Sequence, residues 1–569
     1  MVANSSEKDK TTVKIHNVTS IGEGVVEYLH SRHSNGEGPA NSTYAVTRKA
    51  LESAQADLEL AKETGYKPEL RRNFSVFALL GVGFGITNSW FGISASLITS
   101  ISSGGPMMVV YGIIIVAFIS SFIAITLSEL ISAMPNAGGQ YYWTKKLAPR
   151  HLSGFASYMC GLFSWAASVF ISASICLSIA SSVVGMYLIY HPDTEFQTWI
   201  VFLVYELTNL FLTIFNIWEK PLPFISQSAL YVSLGSFFII TVIVLVKSGG
   251  EFQSAHFVFV EFTNGTGWSS GGIAFIVGLI NPNWSFSCLD AATHLAEESS
   301  DPRRKIPIAI IGTVVIGLIT SLSYSIAMFF CIKDLETLFN SRTGVPIMDI
   351  YYQVLGSKAG AVGLEFLVFL TAIGCNVTCH TWQARLCWTI ARDNGLPGSR
   401  YWSRVNKKTG LPVNAHLMSC FWSAVIGCIY MGSSTAYNSM IIGGVVFQML
   451  AYSIPVTFLL INGRDSIKHG PFWLGKIGLF SNWVTLGWTV FTTVFYSFPP
   501  VMPVTGGNMN YVSVVIGVFA AYCVIYWIAR GRYKFTSLEE RENQIEQLTR
   551  ELSPQVSTME HVFSNEKEV

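Results

Sequence analysis

Residues 278–290 read GLINPNWSFSCLD, inside an apolar run from about 272 to 298 that is long enough to cross a bilayer. Pro282 removes a backbone donor and clashes with the preceding turn, which frees carbonyls near Gly278. An unpaired backbone group in hydrocarbon costs several kcal/mol, so such a segment persists only where it is packed in protein or lines a cavity. Earlier in the chain, residues 81–92 read GVGFGITNSWFG, with Gly81, Gly83, Gly85 and Gly92 and the polar Thr87, Asn88 and Ser89 inside another long apolar run. Each glycine costs up to about 1 kcal/mol in a helix interior. Glycines allow close helix packing and prolines are tolerated in membrane spans, so either stretch alone is explicable as a packing device. Two such stretches at matched positions point to interrupted helices that meet at mid-depth.

Working outward, apolar runs of spanning length lie near 74–98, 107–132, 154–189, 197–218, 222–247, 272–298, 307–332, 361–391, 413–432, 437–461, 479–500 and 511–530. The expected fold is therefore an all-α integral membrane protein of twelve transmembrane helices. The interrupted helices are the first and sixth, five apart, which is the sign of a five-plus-five inverted repeat followed by two further helices. The organisation expected is a cytosolic tail over 1–73, a transporter domain over 74–530 and a cytosolic tail over 531–569.

Composition agrees. Half of the 569 residues are hydrophobic and only 12% are charged, so the solvent for most of the chain is lipid. Basic residues occur in short clusters and the net charge is +1, which removes nucleic acid as a partner. Lys145, Lys146, Arg150, Arg303, Arg304, Lys305, Arg392, Arg400, Arg404, Lys407, Lys408, Arg464, Lys468 and Lys476 fall in loops on one side. The positive-inside rule puts that side, and both termini, in the cytosol. Asn264 in Asn-Gly-Thr is then an extracellular glycosylation site, whereas the sequons at Asn17 and Asn41 are cytosolic and that at Asn376 lies in a span. No apolar segment resembling a cleavable signal precedes the first span. Residues 46–64 and the segment LEERENQIEQLTREL read as charged helices or as solvated tails.

The ten cysteines fall in apolar stretches and read as reduced packing residues, with no Cys/His cluster of metal-ligand spacing. There is no nucleophile-and-base motif and no phosphate-binding GxxxxGK[ST] loop. No catalytic residue, metal or cofactor is expected, and transport must draw on an ion gradient or on the substrate's own gradient and the membrane potential.

The segments GYKPELRRNFS (65–75), PNAGGQYYW (135–143), WSFSCLDAATHLAEESSDPRRKIPIAIIG (284–312), ARDNGLPGSRYW (391–402) and GPFWLGKIG (470–478) resemble the amino acid–polyamine–organocation superfamily and, within it, the fungal amino acid/choline permease family. Further stretches, LLGVGFGITNSWFGIS (79–94), SSGGPMMVVYGIIIVA (102–117) and CHTWQARLCWTIARDNGLP (379–397), are similar to its choline-carrying members. The resemblance covers about 60–535 and implies a LeuT-like architecture, alternating access and import of choline, with ethanolamine or betaine-like compounds as further substrates. Carriage of an amino acid or γ-aminobutyrate is the other reading that the family allows.

Choline is a permanent cation with no N–H, so ring faces are the means of holding it. The aromatic residues expected near the cavity are Phe84 and Trp90 in the first span, Trp165 and Phe170 in the third, and Trp284 and Phe286 in the sixth. Backbone groups of Gly81, Gly83 and Gly85 and of Asn281 to Ser285 are expected at the half-helix ends, with Asn88 and Asn283 as hydrogen-bonding partners for the hydroxyl. The resemblance implies that Trp284 contacts or gates substrate and that Asp290 serves charge balance or coupling; an intramembrane carboxylate is a functional candidate by default. Glu129 matches a family position and is read as structural. Glu206 and Glu365 receive no role. His380, beside Trp382 and Arg385, is read either as a titrating group in a coupling path or as a hydrogen-bonded bundle histidine.

Overall fold

The computed structural model describes residues 72–568 apart from 195–196, 219, 340, 342 and 537, together with Leu51, Ala54, Gln55, Leu58, Lys62 and Leu70. Most of the 46–64 segment and the sequons at Asn17 and Asn41 lie outside them.

The chain forms helices almost throughout. They are α1 (Val76–Thr87), α2 (Ser89–Ala95), α3 (Gly105–Ala133), α4 (Gln140–Leu147), α5 (Arg150–Leu188), α6 (Thr198–Thr213), α7 (Leu222–Lys247), α8 (Gly271–Gly278) and α9 (Ile280–Ser285). A 3₁₀ segment, Ala291–Glu298, leads to α10 (Pro302–Cys331), α11 (Lys358–Arg392), α12 (Val413–Gly432), α13 (Ser434–Asn462), α14 (Lys476–Phe495), α15 (Val512–Tyr526) and α16 (Leu538–Glu568). Among the described residues there is no β-strand, only a bridge between Phe74 and Ser299.

Among the described residues, ten helical segments are long and apolar enough to cross a membrane: Val76–Ala95, α3, α5, Thr198–Asn216, α7, α10, α11, α12, α13 and Val512–Lys534. The remaining two of the twelve expected runs are the interrupted α8–α9 segment with the 3₁₀ stretch behind it, and α14. Large apolar side chains face outward along these helices, with Phe224 73% and Ile461 70% exposed. A water-soluble protein would not leave so many uncovered.

The core sits where α1, α2 and α9 are enclosed by α3, α5, α7, α10, α11 and α13. The α10 helix lies along both α1 and α3, and α5 lies along α11 and α13. Residues Glu69–Leu538 form one compact unit; the described residues of Met1–Pro68 and Glu539–Val569 belong to another. In the latter, Leu51 and Val556 are buried against each other with Ala54 and Leu58 alongside, and Gln55 Nε2 donates to Glu560 Oε1 at 2.7 Å.

Candidate functional site

The first interruption is not at the glycines. Gly81, Gly83 and Gly85 lie inside α1, and the chain breaks at Asn88, which has φ 32° and ψ 62°. The glycines serve close packing: a Cβ on Gly81 would fall 2.5 Å from the Ser226 carbonyl oxygen on α7, and one on Gly83 would fall 2.7 Å from Thr313 Oγ1 on α10. Asparagine is among the few non-glycine residues that tolerate the left-handed region. Its side chain is anchored there, since Ser233 Oγ donates to Asn88 Oδ1 at 3.0 Å and receives the Trp90 Nε1 proton at 2.9 Å.

The second interruption is likewise displaced. Asn281 to Ser285 are helical, and Pro282 lies in the first turn of α9, where its missing N–H costs nothing. The carbonyl freed near Gly278 is real, and Ser100 Oγ donates to it at 3.2 Å. The helix ends after Ser285, and Cys288 has φ 64°. Neighbours take up the released groups. Thr87 Oγ1, next to the first break, donates to the Ser287 carbonyl at 2.8 Å, and the Cys288 N–H goes to Gln448 Oε1 on α13 at 3.0 Å. Asn281 Nδ2 donates to the Ser96 carbonyl at 2.8 Å beyond the end of α2, so it joins the two interrupted segments.

Asp290 is 1% exposed and fully engaged. Tyr452 Oη donates to Oδ1 at 2.6 Å, Gln448 Nε2 donates to the same oxygen at 3.0 Å, and His294 Nε2 meets Oδ2 at 3.1 Å. His294 Nδ1 lies 2.7 Å from the Ala137 carbonyl and must carry a hydrogen. Nε2 is the ring nitrogen that faces the carboxyl. Gln448 and Tyr452 were not legible as partners in the sequence, because α13 reaches Asp290 only through the fold, whereas His294 lies four residues on and its spacing was the signal that could have found it.

The expected aromatic residues divide. Trp284, at the end of α9, is partly exposed, its ring centroid is 6.3 Å from that of Phe91 on α2, and its Nε1 has no partner among the described residues. Asn283 accepts from Trp488 Nε1 at 3.2 Å and leaves Nδ2 unpartnered. Trp90 is packed between Phe237 and Tyr324, and Phe84 is wholly buried. Phe286 is buried against Gly317 of α10. Phe170 packs on Phe447 of α13, and Trp165 Nε1 donates to Ser419 Oγ of α12 at 3.0 Å. Trp284 thus combines an uncovered ring with an open donor beside a break, whereas Trp90 and Trp165 have their indole donors engaged.

At the end of the bundle that carries the basic loops, buried ion pairs join the elements behind the second break. Arg385 of α11 makes a two-point contact with Glu298 (2.9 and 3.1 Å), and Arg392 makes another with Glu297 (2.8 and 3.2 Å). Lys145 of α4 pairs with Asp393 at 3.1 Å. Glu129 accepts from Arg464 at 2.8 Å and from the Leu474 N–H at 2.7 Å, while Gly478 packs against its carboxylate with no room for a Cβ. The segments HLAEESSDP and ARDNG are therefore partners in one charged layer, and GPFWLGKIG packs on Glu129 of α3.

Two further buried groups stand apart. Glu365 of α11 accepts from Ser182 Oγ at 2.6 Å. His380 of α11 lies beside His416 and Cys420 of α12, a Cys/His group that spacing along the chain did not disclose. Asn264 is exposed in the loop before α8, with Thr266 N–H and Oγ1 donating to its Oδ1.

The amino acid permease family model matches residues 74–520. The choline transporter of Saccharomyces cerevisiae is 60% identical over 475 residues, which cover 84% of this chain and 84% of that one. The 7-keto 8-aminopelargonic acid transporter of the same yeast is 32% identical, over 83% of this chain and 94% of its own. Among solved structures, the Eremococcus coleocola manganese transporter is similar in fold, with TM-score 0.50 and 14% identity over 80% of this chain and 94% of that one. The broken helices, the charged layer that pairs the motif segments and the match over 74–520 lead to one assignment: this chain belongs to the amino acid permease family.

Proposed function

We propose that the protein is a secondary transporter that imports choline across the plasma membrane by alternating access. The observation that carries this reading is 60% identity, over 84% of both chains, to a protein named for choline transport. The site chemistry supports it: the partly uncovered ring of Trp284 stands at the end of α9, facing Phe91 across from the other interrupted helix. A quaternary ammonium over an indole face gains about 0.5–2 kcal/mol, most where water is excluded. The membrane potential, worth about 2.3 kcal/mol per 100 mV, acts on choline's own charge.

In this reading the ten long helices, the interrupted α8–α9 segment and α14 make twelve spans. The first ten form a five-plus-five inverted repeat that rocks about α1–α2 and α8–α9, two spans follow, and residues 1–73 and 531–569 are cytosolic tails. The charged layer then faces the cytosol, and Asn264 faces outside, where it can carry a glycan. The chain acts without catalysis and in contact with lipid. Ethanolamine and betaine-like compounds are the further substrates to examine.

Uptake of radiolabelled choline in a yeast strain lacking its own carrier tests this directly. Saturable uptake, displaced by unlabelled choline and poorly by γ-aminobutyrate, is expected. Saturable γ-aminobutyrate uptake without choline uptake would replace the proposed substrate with an amino acid.

A further inference from the structure

We propose that α11 and α12 hold a soft closed-shell metal ion, copper(I) or zinc, between the Cys420 thiolate and the Nδ1 atoms of His380 and His416. His416 and Cys420 are four residues apart on α12 and so share a face, and His380 meets them from α11. The Cys420 sulfur is 3.6 Å from His416 Nδ1 and 3.9 Å from His380 Nδ1. An ion bound at roughly 2.0 Å by nitrogen and 2.3 Å by sulfur holds such atoms about 3.6–3.8 Å apart. The three potential ligand atoms all lie within 4.8 Å of one another, so small ring rotations close the site.

Hydrogen bonding around the cluster has the form a metal site requires. His416 Nε2 lies 2.9 Å from the Thr213 carbonyl at the end of α6, so that nitrogen carries the hydrogen and Nδ1 keeps a free lone pair, with the Cys420 sulfur 3.6 Å from Nδ1 and 3.8 Å from Nε2. His380 Nε2 is buried with no hydrogen-bond partner among the described residues, and Nδ1 is the ring nitrogen within reach of the sulfur. Both rings bring an Nδ1 near one thiol, and a thiol has one hydrogen to give. A metal ion in place of that hydrogen satisfies both. Gln383, one turn along α11, points Nε2 at the sulfur from 3.6 Å, the donor a thiolate accepts, while its Oε1 is buried with no partner among the described residues. Loading is a simple exchange: the thiol proton leaves as the sulfur–metal bond forms. With copper(I) the site is neutral and with zinc it carries one positive charge, so burial favours copper(I). His380 is 0%, His416 1% and Cys420 5% exposed. The ion would pin α11 to α12, independently of the substrate carried.

The test is metal analysis of the full-length protein, purified in detergent under reducing, oxygen-free conditions and loaded separately with copper(I) and with zinc. About one ion per chain is expected for the metal that fits, with one sulfur and two nitrogen neighbours by X-ray absorption. Cys420→Ser and His380→Gln should each lower retention roughly tenfold or more while eluting as wild type does. As a measurement on unmutated protein, titration with either metal should raise a thiolate-to-metal charge-transfer band. Wild-type protein that retains neither metal and shows no band, or Cys420→Ser that retains as much as wild type, overturns the site.

Discussion

Gly92 on α2 and Ser285 on α9 pack so closely that a Cβ on Gly92 would fall 2.9 Å from Ser285 Cα and 2.7 Å from its Oγ. The two interrupted segments are in backbone contact at this point, and a methyl group there must move one against the other.

Gly92→Ala is accordingly expected to destabilise the protein by about 1–3 kcal/mol, the ordinary range for overpacking. Choline uptake should fall more than surface expression does, because the displaced α9 carries Trp284. Uptake per surface molecule, read beside thermal stability in detergent, checks this; wild-type values for both would show that the contact is slack.

Trp284→Ala removes the one uncovered indole beside the breaks. A lost cation–π contact of about 0.5–2 kcal/mol corresponds to a KM for choline raised roughly 2- to 30-fold, with Trp284→Phe between the two. Trp90→Phe should instead act through stability, since it loses a hydrogen bond to Ser233 in a closed aromatic cluster. A KM unchanged in Trp284→Ala would remove this ring from the binding site.

Sequence reading reached the long apolar helices and the presence of two interruptions, because apolar runs, proline and glycine act locally. It misplaced both breaks by a few residues. Glycines at 81 and 83 look like breakers along the chain, yet they are needed where α7 and α10 press on α1, and Asn88 yields because Ser233 fixes its side chain. Pro282 likewise looks disruptive, but at the start of α9 it has no donor to lose. The contacts of Asp290 with Gln448 and Tyr452 and the grouping of His380 with Cys420 depend on helices distant in sequence, so no local pattern announces them.

Gln448 is the residue on which the second break depends most heavily. Its amide accepts from Cys288 N–H and donates to Asp290, and no other residue type of similar length does both. Gln448→Leu should leave the buried Cys288 N–H unpartnered, at about 1–3 kcal/mol, and remove one of the two hydrogen bonds to Asp290 Oδ1, the Tyr452 one remaining. Asp290→Asn keeps an acceptor for Tyr452 and a donor for His294 and should be milder than Asp290→Ala in thermal stability. Equal losses in the two Asp290 variants would mean that the charge matters more than the hydrogen bonds.

Arg385 and Glu298 are each 1% exposed and make a two-point contact. Taking two charges out of water costs about what their attraction returns, so the pair adds little stability by itself, but removing one partner leaves a bare buried charge at about 3–5 kcal/mol. Glu298→Gln and Arg385→Met should each lower surface expression and thermal stability sharply. The double variant, which has no stranded charge, should recover most of the loss even though both ions are gone. If this layer also closes one end of the pathway during transport, the recovered double variant will fold and yet accumulate choline to a lower steady-state ratio than wild type. Stability measured by thermal unfolding and accumulation measured in the same cells separate the two roles: recovery of both would make the pair a folding device, and recovery of stability alone would make it part of the gate.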